Sequence, residues 1–241
     1  MKPVVYLLPG LLCDAAVWAD QIHVLGRDFE VCVPDFTTFD SIGAMAQSVL
    51  DIAPPRFSLA GHSMGARVAL ELYRRAPERV ERLALLDTGI HGMKEGEAAK
   101  RQVLIDLADR EGMDALCEAW LPPMVHPDRL DDATLMPALR AMVRRMSPAI
   151  FRNEVHALLT RPVADAVLAH IRCPVLVGVG AQDQWSPPAQ HQEMVAAIPH
   201  ARYVVFEDSG HMAPAERPQA VTEALRLWLQ QPVGEFEGAA R

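Results

Sequence analysis

The pentapeptide Gly-His-Ser-Met-Gly at residues 61–65 has the pattern G-x-S-x-G and joins two different kinds of segment. Residues 57–60 before it form an apolar run, and residues 66–73 after it follow a helical pattern. A strand, a tight turn and a helix in this order hold the serine oxygen exposed at the edge of a sheet. The stretch therefore predicts a nucleophile elbow at Ser63, although the five residues alone would also suit an ordinary glycine-flanked turn.

Short apolar runs recur along the chain and predict six strands. They comprise residues 4–8, 31–33, 57–60, 83–86, 175–179 and 203–206. The runs are almost continuously hydrophobic, as expected of strands that are buried on both faces. Helical patterns separate several of them, with Asp14, Ser41 and Ser186 as predicted N-caps and Pro218 at the start of the last helix. This alternation predicts an α/β fold with a doubly wound, mainly parallel sheet of about six strands.

One connection interrupts the alternation of strands and helices. Between Asp87 and Pro174, more than 80 residues pass without a predicted strand, although several helical patterns occur there. An insertion of this length needs structure of its own, and this one leaves the carboxyl end of a strand, where open α/β sheets bind ligands. We expect a helical cap over a site rather than helices on the flank of the sheet. The predicted division is a core of residues 1–88 and 173–231, a cap of residues 89–172 and a disordered tail of residues 232–241.

Two later loops carry the side chains that would activate a serine. His211 comes just after the last predicted strand, and Gly210 before it allows a sharp turn. Asp183 follows the preceding strand, so the order along the chain is serine, acid, histidine, as such an elbow requires. A carboxylate at this place would orient the imidazole and stabilise the imidazolium. We therefore expect Ser63, Asp183 and His211 to be the catalytic residues.

Three other side chains compete for these roles. Asp87 ends the fourth predicted strand and is either a structural residue or an alternative acid. Asp208 lies three residues before His211 and is more typical of a turn. His62 neighbours Ser63 in sequence, but on an elbow its side chain should point away from the serine oxygen and line the pocket or pack.

Backbone N–H groups near the elbow would stabilise the negative charge that forms on an attacked carbonyl oxygen. The first predicted strand runs into a Pro9-Gly10 pair, and the N–H of Leu11 in this loop is one candidate donor. The second candidate is the N–H of Met64, the residue after the nucleophile. Two such donors typically contribute strongly to acyl transfer. The other interpretation of the loop is a simple turn that leaves a strand.

With Ser63, Asp183 and His211 in this order at three predicted strand ends, the chain resembles the α/β-hydrolase fold superfamily over nearly its whole length. The resemblance implies a helical lid near residues 89–172 and activity without a cofactor. It also implies a six-stranded, all-parallel core, because the first predicted strand corresponds to the family's third. Many relatives have His-Gly where this chain has Pro9-Gly10, which is a departure in the oxyanion loop.

Charge and cysteine content argue against other classes of function. The chain has 241 residues, with 23 basic and 31 acidic side chains and a formal net charge of −8, so we expect no nucleic-acid or membrane partner. Its four cysteines are widely separated, which predicts no metal site and favours a reducing, cytoplasmic location. The first residues resemble a strand rather than a signal peptide, and no apolar stretch reaches the ~20 residues of a membrane span.

These features predict a serine hydrolase that cleaves a small-molecule carboxylic ester, or a related acyl compound, through an acyl-enzyme intermediate. The same triad would suit a C–C bond hydrolase, an acyltransferase or a perhydrolase, and a non-catalytic ligand-binding protein could keep the fold. Six methionines in residues 89–172 favour an apolar pocket. Four arginines of this segment would suit either an anionic substrate group or solvated salt bridges: Arg144, Arg145, Arg152 and Arg161.

Overall fold

The computed structural model describes residues 2–234 and contains one six-stranded sheet. The strands are β1 (Val4–Leu8), β2 (Glu30–Cys32), β3 (Phe57–His62), β4 (Val80–Leu86), β5 (Val175–Gly180) and β6 (Arg202–Phe206). They lie in the order β2-β1-β3-β4-β5-β6, and every neighbouring pair is parallel. The predicted fold class is thereby confirmed. Most of the tail predicted to be disordered, residues 235–241, lies outside the described residues, and residues 232–234 belong to no helix or strand.

Burial explains why the strand sequences are continuously apolar. Every residue of β3 and of β5 is buried. Because successive side chains of a strand point to opposite faces, both faces of the sheet are covered at its centre. The edge strands β2 and β6 contain partly exposed residues, as expected where the sheet meets solvent on one side.

Ten α-helices connect and flank the strands within residues 2–234. They are α1 (Ala19–Leu25), α2 (Ile42–Ile52), α3 (Met64–Arg75), α4 (Glu97–Trp120), α5 (Leu135–Arg144), α6 (Pro148–Leu159), α7 (Asp165–Leu168), α8 (Pro188–Ala197), α9 (Ala213–Glu216) and α10 (Pro218–Leu229). Four of them, α4 to α7, belong to the long connection between β4 and β5. That connection contains no strand among the described residues, as its sequence predicts.

The strand order creates a switch point between β1 and β3. From β1 the chain first moves to β2 on one side, and then crosses back to add β3 to β6 on the other side. Open α/β sheets bind ligands beside the carboxyl ends of strands at such a point. The loop that contains Leu11 and the turn that contains Ser63 follow these two strands, so the topology brings them together.

Local sequence signals set several helix boundaries. The predicted N-caps Asp14 and Ser41 are confirmed, since their side chains accept hydrogen bonds from N–H groups two and three residues further on, at 2.8 and 3.2 Å. The predicted cap at Ser186 is wrong, because α8 begins at Pro188 and no side chain caps it. The patterns at residues 103–108 and 113–120 belong to one segment, α4, with a kink at Gly112, whose φ is +82°.

Gly65 packs so closely against the sheet that a side chain there should destabilise the fold. A Cβ at this position would overlap the backbone carbonyl of Leu8 in β1. A strand backbone cannot move aside as the end of a flexible side chain can. We therefore expect Gly65→Ala to lower the free energy of unfolding by about 1–3 kcal/mol, measured by urea denaturation.

Gly43 provides a matched control for this substitution. It is the second residue of α2, just as Gly65 is the second residue of α3. A Cβ at Gly43 would meet only the guanidinium end of Arg75, which can move. Gly43→Ala should therefore be neutral or slightly stabilising, since alanine favours the helix. Equal losses of stability in the two variants would contradict the clash argument.

Candidate active site

Ser63 occupies a strained turn between β3 and α3. Its φ is +53°, a left-handed value that non-glycine residues rarely adopt and that typically costs about 1–3 kcal/mol. The N–H of Ser63 donates to the carbonyl oxygen of Leu86 at the end of β4, at 2.9 Å. The turn is therefore fixed to the neighbouring strand, and the serine side chain is held at the carboxyl edge of the sheet.

Ser63, His211 and Asp183 form a continuous hydrogen-bonded chain. The distance from Ser63 Oγ to His211 Nε2 is 2.8 Å, and that from His211 Nδ1 to Asp183 Oδ2 is also 2.8 Å. A carboxylate accepts hydrogen bonds but cannot donate them, so His211 carries its proton on Nδ1 and accepts the Ser63 proton at Nε2. The loops after β3, β5 and β6 supply the three residues.

The surroundings of Asp183 favour its ionised form. Burial opposes ionisation, but His211 and the N–H groups of Trp185 and Ser186 outweigh it, so the pKa of Asp183 is lowered. The two N–H groups donate to Oδ1 at 2.8 and 2.9 Å, which leaves Oδ2 for the imidazole. Asp183 is therefore a fixed acceptor for His211.

The two alternative acids do not contact His211. Asp87 is fully buried at the end of β4, and its Oδ1 accepts the N–H of Gly180 in β5 at 2.8 Å. Burial, and then the nearby Asp183, raise the pKa of Asp87 well above its usual value, which favours a neutral carboxyl that links two strands. Asp208 is in an exposed turn with φ +53°, 3.5 Å from Arg217.

His62 packs beneath the chain of three residues and makes no hydrogen bond with the Ser63 side chain. Its ring is buried, and burial lowers its pKa to about 3, so the imidazole is neutral at ordinary pH. The distance from its Nε2 to the carbonyl oxygen of His211 is 2.7 Å. A carbonyl only accepts, so Nε2 carries the proton and His62 supports the backbone of the histidine loop.

Glu216 is a buried residue of the site that the sequence patterns did not indicate. Its Oε1 accepts the N–H groups of Gly210 and Met212, on either side of His211, at 2.9 and 3.1 Å. Its Oε2 accepts the N–H of His126, in the long insertion between β4 and β5, at 2.7 Å. Burial raises the pKa of Glu216, although the three N–H donors act to lower it. This carboxyl therefore fixes the histidine loop to the insertion.

A residue of the long connection between β4 and β5 also fixes the loop after β1. The N–H of Leu12 donates to Glu154 Oε2 on α6 at 2.8 Å, and Leu12 has a φ of +57°. Glu154 is almost completely buried, which raises its pKa to about 8. Leu11 lines a small recess beside Ser63. Met64 is the first residue of α3, so its N–H has no partner within the helix.

Two cavities meet at Ser63 and His211. A recess of about 30 Å³ contacts Leu11 and is lined mainly by apolar side chains. A larger cavity of about 580 Å³ also contacts Ser63 and His211, and residues of α3, α4 and the loop after α6 line it. The insertion therefore supplies part of the wall around Ser63.

The four arginines considered from the sequence fall into two groups. Arg144, Arg145 and Arg152 are about half exposed and pair with aspartates at 2.5 to 2.7 Å. Arg161 is buried, pairs with Glu97 at 2.7 Å and lines the larger cavity. All four therefore form salt bridges, and Arg161 also belongs to the surroundings of Ser63.

Metal and membrane signals are lacking in the part of the chain that the structure describes. Residues 2–234 contain no group of three or more histidine, cysteine, aspartate or glutamate side chains that could hold a metal ion. No helix among them is both long and apolar enough to cross a bilayer. Cys13 in the loop after β1 is buried, which raises its pKa and keeps it a thiol.

Comparisons with known proteins agree with this architecture. Residues 5–224 match the model of the alpha/beta hydrolase family. The pimeloyl–acyl-carrier-protein methyl ester esterase of Nitrosomonas europaea is 26% identical over 226 residues, covering 87% of this chain and 88% of that protein.

Two solved structures have closely similar folds. A thermophilic esterase from Thermogutta terrifontis, solved with malate bound, has a TM-score of 0.85 at 26% identity, covering 95% of this chain and 90% of that one. The enol-lactonase from Burkholderia xenovorans has a TM-score of 0.84 at 26% identity, covering 96% and 92%. Because the family model spans most of the sequence, the chain belongs to the alpha/beta hydrolase family.

Proposed function

We propose that the protein is a serine hydrolase that cleaves a small-molecule carboxylic ester through an acyl-enzyme intermediate. The observation that carries the proposal is the hydrogen-bonded chain from Ser63 through His211 to Asp183. Family membership supports hydrolysis in general, and two of the similar proteins are named esterases and one a lactonase. The ester chemistry of these three supports an ester as the substrate, and other relatives bear the name of a carbamate hydrolase, whose substrate is a related acyl compound.

In the first half of the reaction, Ser63 Oγ attacks the substrate carbonyl carbon while His211 Nε2 takes the serine proton. Asp183 holds the ring by Nδ1 and stabilises the imidazolium. The N–H groups of Leu11 and Met64 donate to the oxyanion. The tetrahedral intermediate then collapses, and His211 returns the proton to the departing alcohol.

The second half releases the acyl group. Water attacks the acyl-enzyme carbonyl, and His211 takes its proton and gives it back to Ser63. We assign residues 89–172 as a cap, because they supply part of the cavity wall beside Ser63. The proposed steps need no cofactor. A cytoplasmic location stays a prediction, supported by four unpaired cysteines.

A fluorophosphonate probe tests the nucleophile directly. We expect mass spectrometry to find the probe on Ser63 and labelling to be lost in Ser63→Ala. Ser186→Ala is the matched control, because Ser186 lines the same large cavity without bonding His211; it should still be labelled. If the wild type is not labelled, or if the label is found on another residue, the proposal is contradicted.

Product analysis separates the alternatives that use the same triad. In water enriched in ¹⁸O, an esterase should place one heavy oxygen in the released acid. An acyltransferase should instead divert most of the acyl group to an added alcohol, and a perhydrolase to added hydrogen peroxide. Probe labelling without turnover of any ester would favour a C–C bond hydrolase.

A further inference from the structure

The larger cavity beside Ser63 has a size suited to a small molecule. Its volume is about 580 Å³, within the ~300–1,000 Å³ typical of ligand pockets. Ser63 and His211 line it together with residues of α4 and with Arg161 after α6. A substrate whose carbonyl reaches Ser63 would therefore extend into this space.

The charge of this cavity is opposite to that of the protein. Five cationic side chains line it: Arg67, Lys94, Lys100, Arg101 and Arg161. Only two carboxylates, Glu95 and Glu97, line it as well. The whole chain carries a net charge of −8, so this positive excess is a local feature that composition does not explain. A cleft of one sign with low-dielectric walls attracts ions of the opposite sign.

Glu97 neutralises only part of this charge. Its two oxygens accept both terminal nitrogens of Arg161, at 2.8 and 2.7 Å, and Arg101 Nε donates to Oε1 at 2.9 Å. Arg161 also donates to three backbone carbonyl groups. Glu97 and Arg161 therefore form a satisfied structural pair, with Arg101 attached to it.

Of the remaining cations of the cavity, Lys94 and Lys100 are exposed, and Arg67 is the partly buried one that has no counter-ion among the described residues. It lies on α3, four residues after Ser63, and both residues line the larger cavity. Its Nη1 donates to the carbonyl oxygen of His91 at 3.0 Å, and no described carboxylate lies within 4.0 Å of its guanidinium. Burial, and then Arg161, lower the pKa of Arg67 to about 9, so it stays charged in a site short of negative charge.

We propose that this cavity binds an anionic group of the substrate, such as a carboxylate, and that Arg67 is the residue that recognises it. The inference rests on the proposed function and names the substrate class. Guanidinium donors match a carboxylate in geometry, and Arg101 supplies a second guanidinium to the lining of the larger cavity. The recess of about 30 Å³, lined mainly by apolar side chains, has room only for a small part of the substrate. The substrate is therefore an ester with a small apolar end and an anionic end.

Matched pairs of esters test this proposal and identify which side carries the charge. Monomethyl adipate and methyl hexanoate differ by a carboxylate in the acyl part, and 4-acetoxybenzoate and phenyl acetate differ by one in the alcohol part. We expect the anionic member of at least one pair to have a higher kcat/KM by about 10-fold or more. Arg67→Gln should abolish this ratio.

Arg144→Gln is the matched control, because Arg144 is half exposed, pairs with Asp114 and lines neither cavity. It should keep the wild-type ratio. Calorimetric titration of adipate into Ser63→Ala gives a readout without turnover, and adding Arg67→Gln to that variant should weaken binding.

Equal kcat/KM values within both pairs, or a ratio unchanged by Arg67→Gln, would overturn the anion site. In that event, probe labelling at Ser63 and hydrolysis of neutral esters would leave the proposed function standing. Absence of both labelling and ester hydrolysis would instead contradict the serine-esterase proposal itself.

Discussion

Asp183→Asn is expected to lower kcat on a p-nitrophenyl ester by about four orders of magnitude. The amide nitrogen of asparagine donates where the carboxylate accepted, so it favours the His211 tautomer with the proton on Nε2. That tautomer cannot take the proton of Ser63. The folded state should persist, because the amide oxygen can still accept the N–H groups of Trp185 and Ser186.

Asp87→Asn is the matched control for this substitution. Both carboxyls are buried at the ends of neighbouring strands, β4 and β5. The raised pKa of Asp87, caused by burial and then by Asp183, favours a neutral group, and asparagine is neutral and nearly the same shape. The amide oxygen can accept the Gly180 N–H, so most activity should remain. A loss of orders of magnitude in Asp87→Asn, with Asp183→Asn active, would reassign the acid.

Local sequence signals were sufficient to predict the strands of the sheet and the order of the three loops that carry Ser63, Asp183 and His211. Each strand of this parallel sheet contains a short apolar run, which makes it visible without knowledge of its neighbours. Glycines at Gly61 and Gly65 mark the turn because side chains there would meet backbone atoms. The positions of Asp183 and His211 follow from similar signals, since each residue lies in the loop after a predicted strand, β5 or β6.

The supporting contacts could not be predicted because they join distant parts of the chain. Glu154 bonds a backbone group 142 residues away, and Glu216 bonds His126 90 residues away. A helical projection would have shown one clue, since Glu154 shares the buried face of α6 with Phe151 and Leu158. Arg67 offered another clue, because it lies on the helix that begins directly after Ser63.

The predicted N-cap at Ser186 is wrong for a specific physical reason. Serine before proline is a common helix start, so the local pattern was reasonable. In the folded chain, the N–H of Ser186 donates to Asp183 Oδ1 at 2.9 Å, and α8 starts two residues later. The segment thus serves the geometry of the acid loop rather than that of the helix.

Glu154 should make the stability of the protein depend on pH. Burial raises its pKa from the ordinary 4.5 to about 8, so the folded state keeps a proton that the unfolded state loses near pH 4.5. The folded state therefore binds more protons between these values, and the free energy of unfolding falls as pH rises. Glu154 contributes a decrease of about 1 kcal/mol for each pH unit in this window.

Other buried groups act over the same range, so a single pH curve would not isolate Glu154. Burial lowers the pKa values of His62 and His191 to about 3 and about 4, which makes stability rise with pH up to the unfolded histidine value of roughly 6.5. Burial raises the pKa values of Asp87 and Glu216, which act in the same direction as Glu154. These contributions cancel only when the free energy of unfolding of a variant is subtracted from that of the wild type at the same pH.

Glu154→Gln supplies that difference, because glutamine does not titrate and its amide oxygen can still accept the N–H of Leu12. The stability of the wild type minus that of the variant, from urea denaturation at several pH values, should fall steadily from pH 4.5 to 8 and level off above it. A flat curve for Glu154→Gln would mean that Glu154 titrates alike in both states. A rising curve would mean that the carboxylate is ionised and stabilised beside the oxyanion loop, which would reverse the role assigned to its burial.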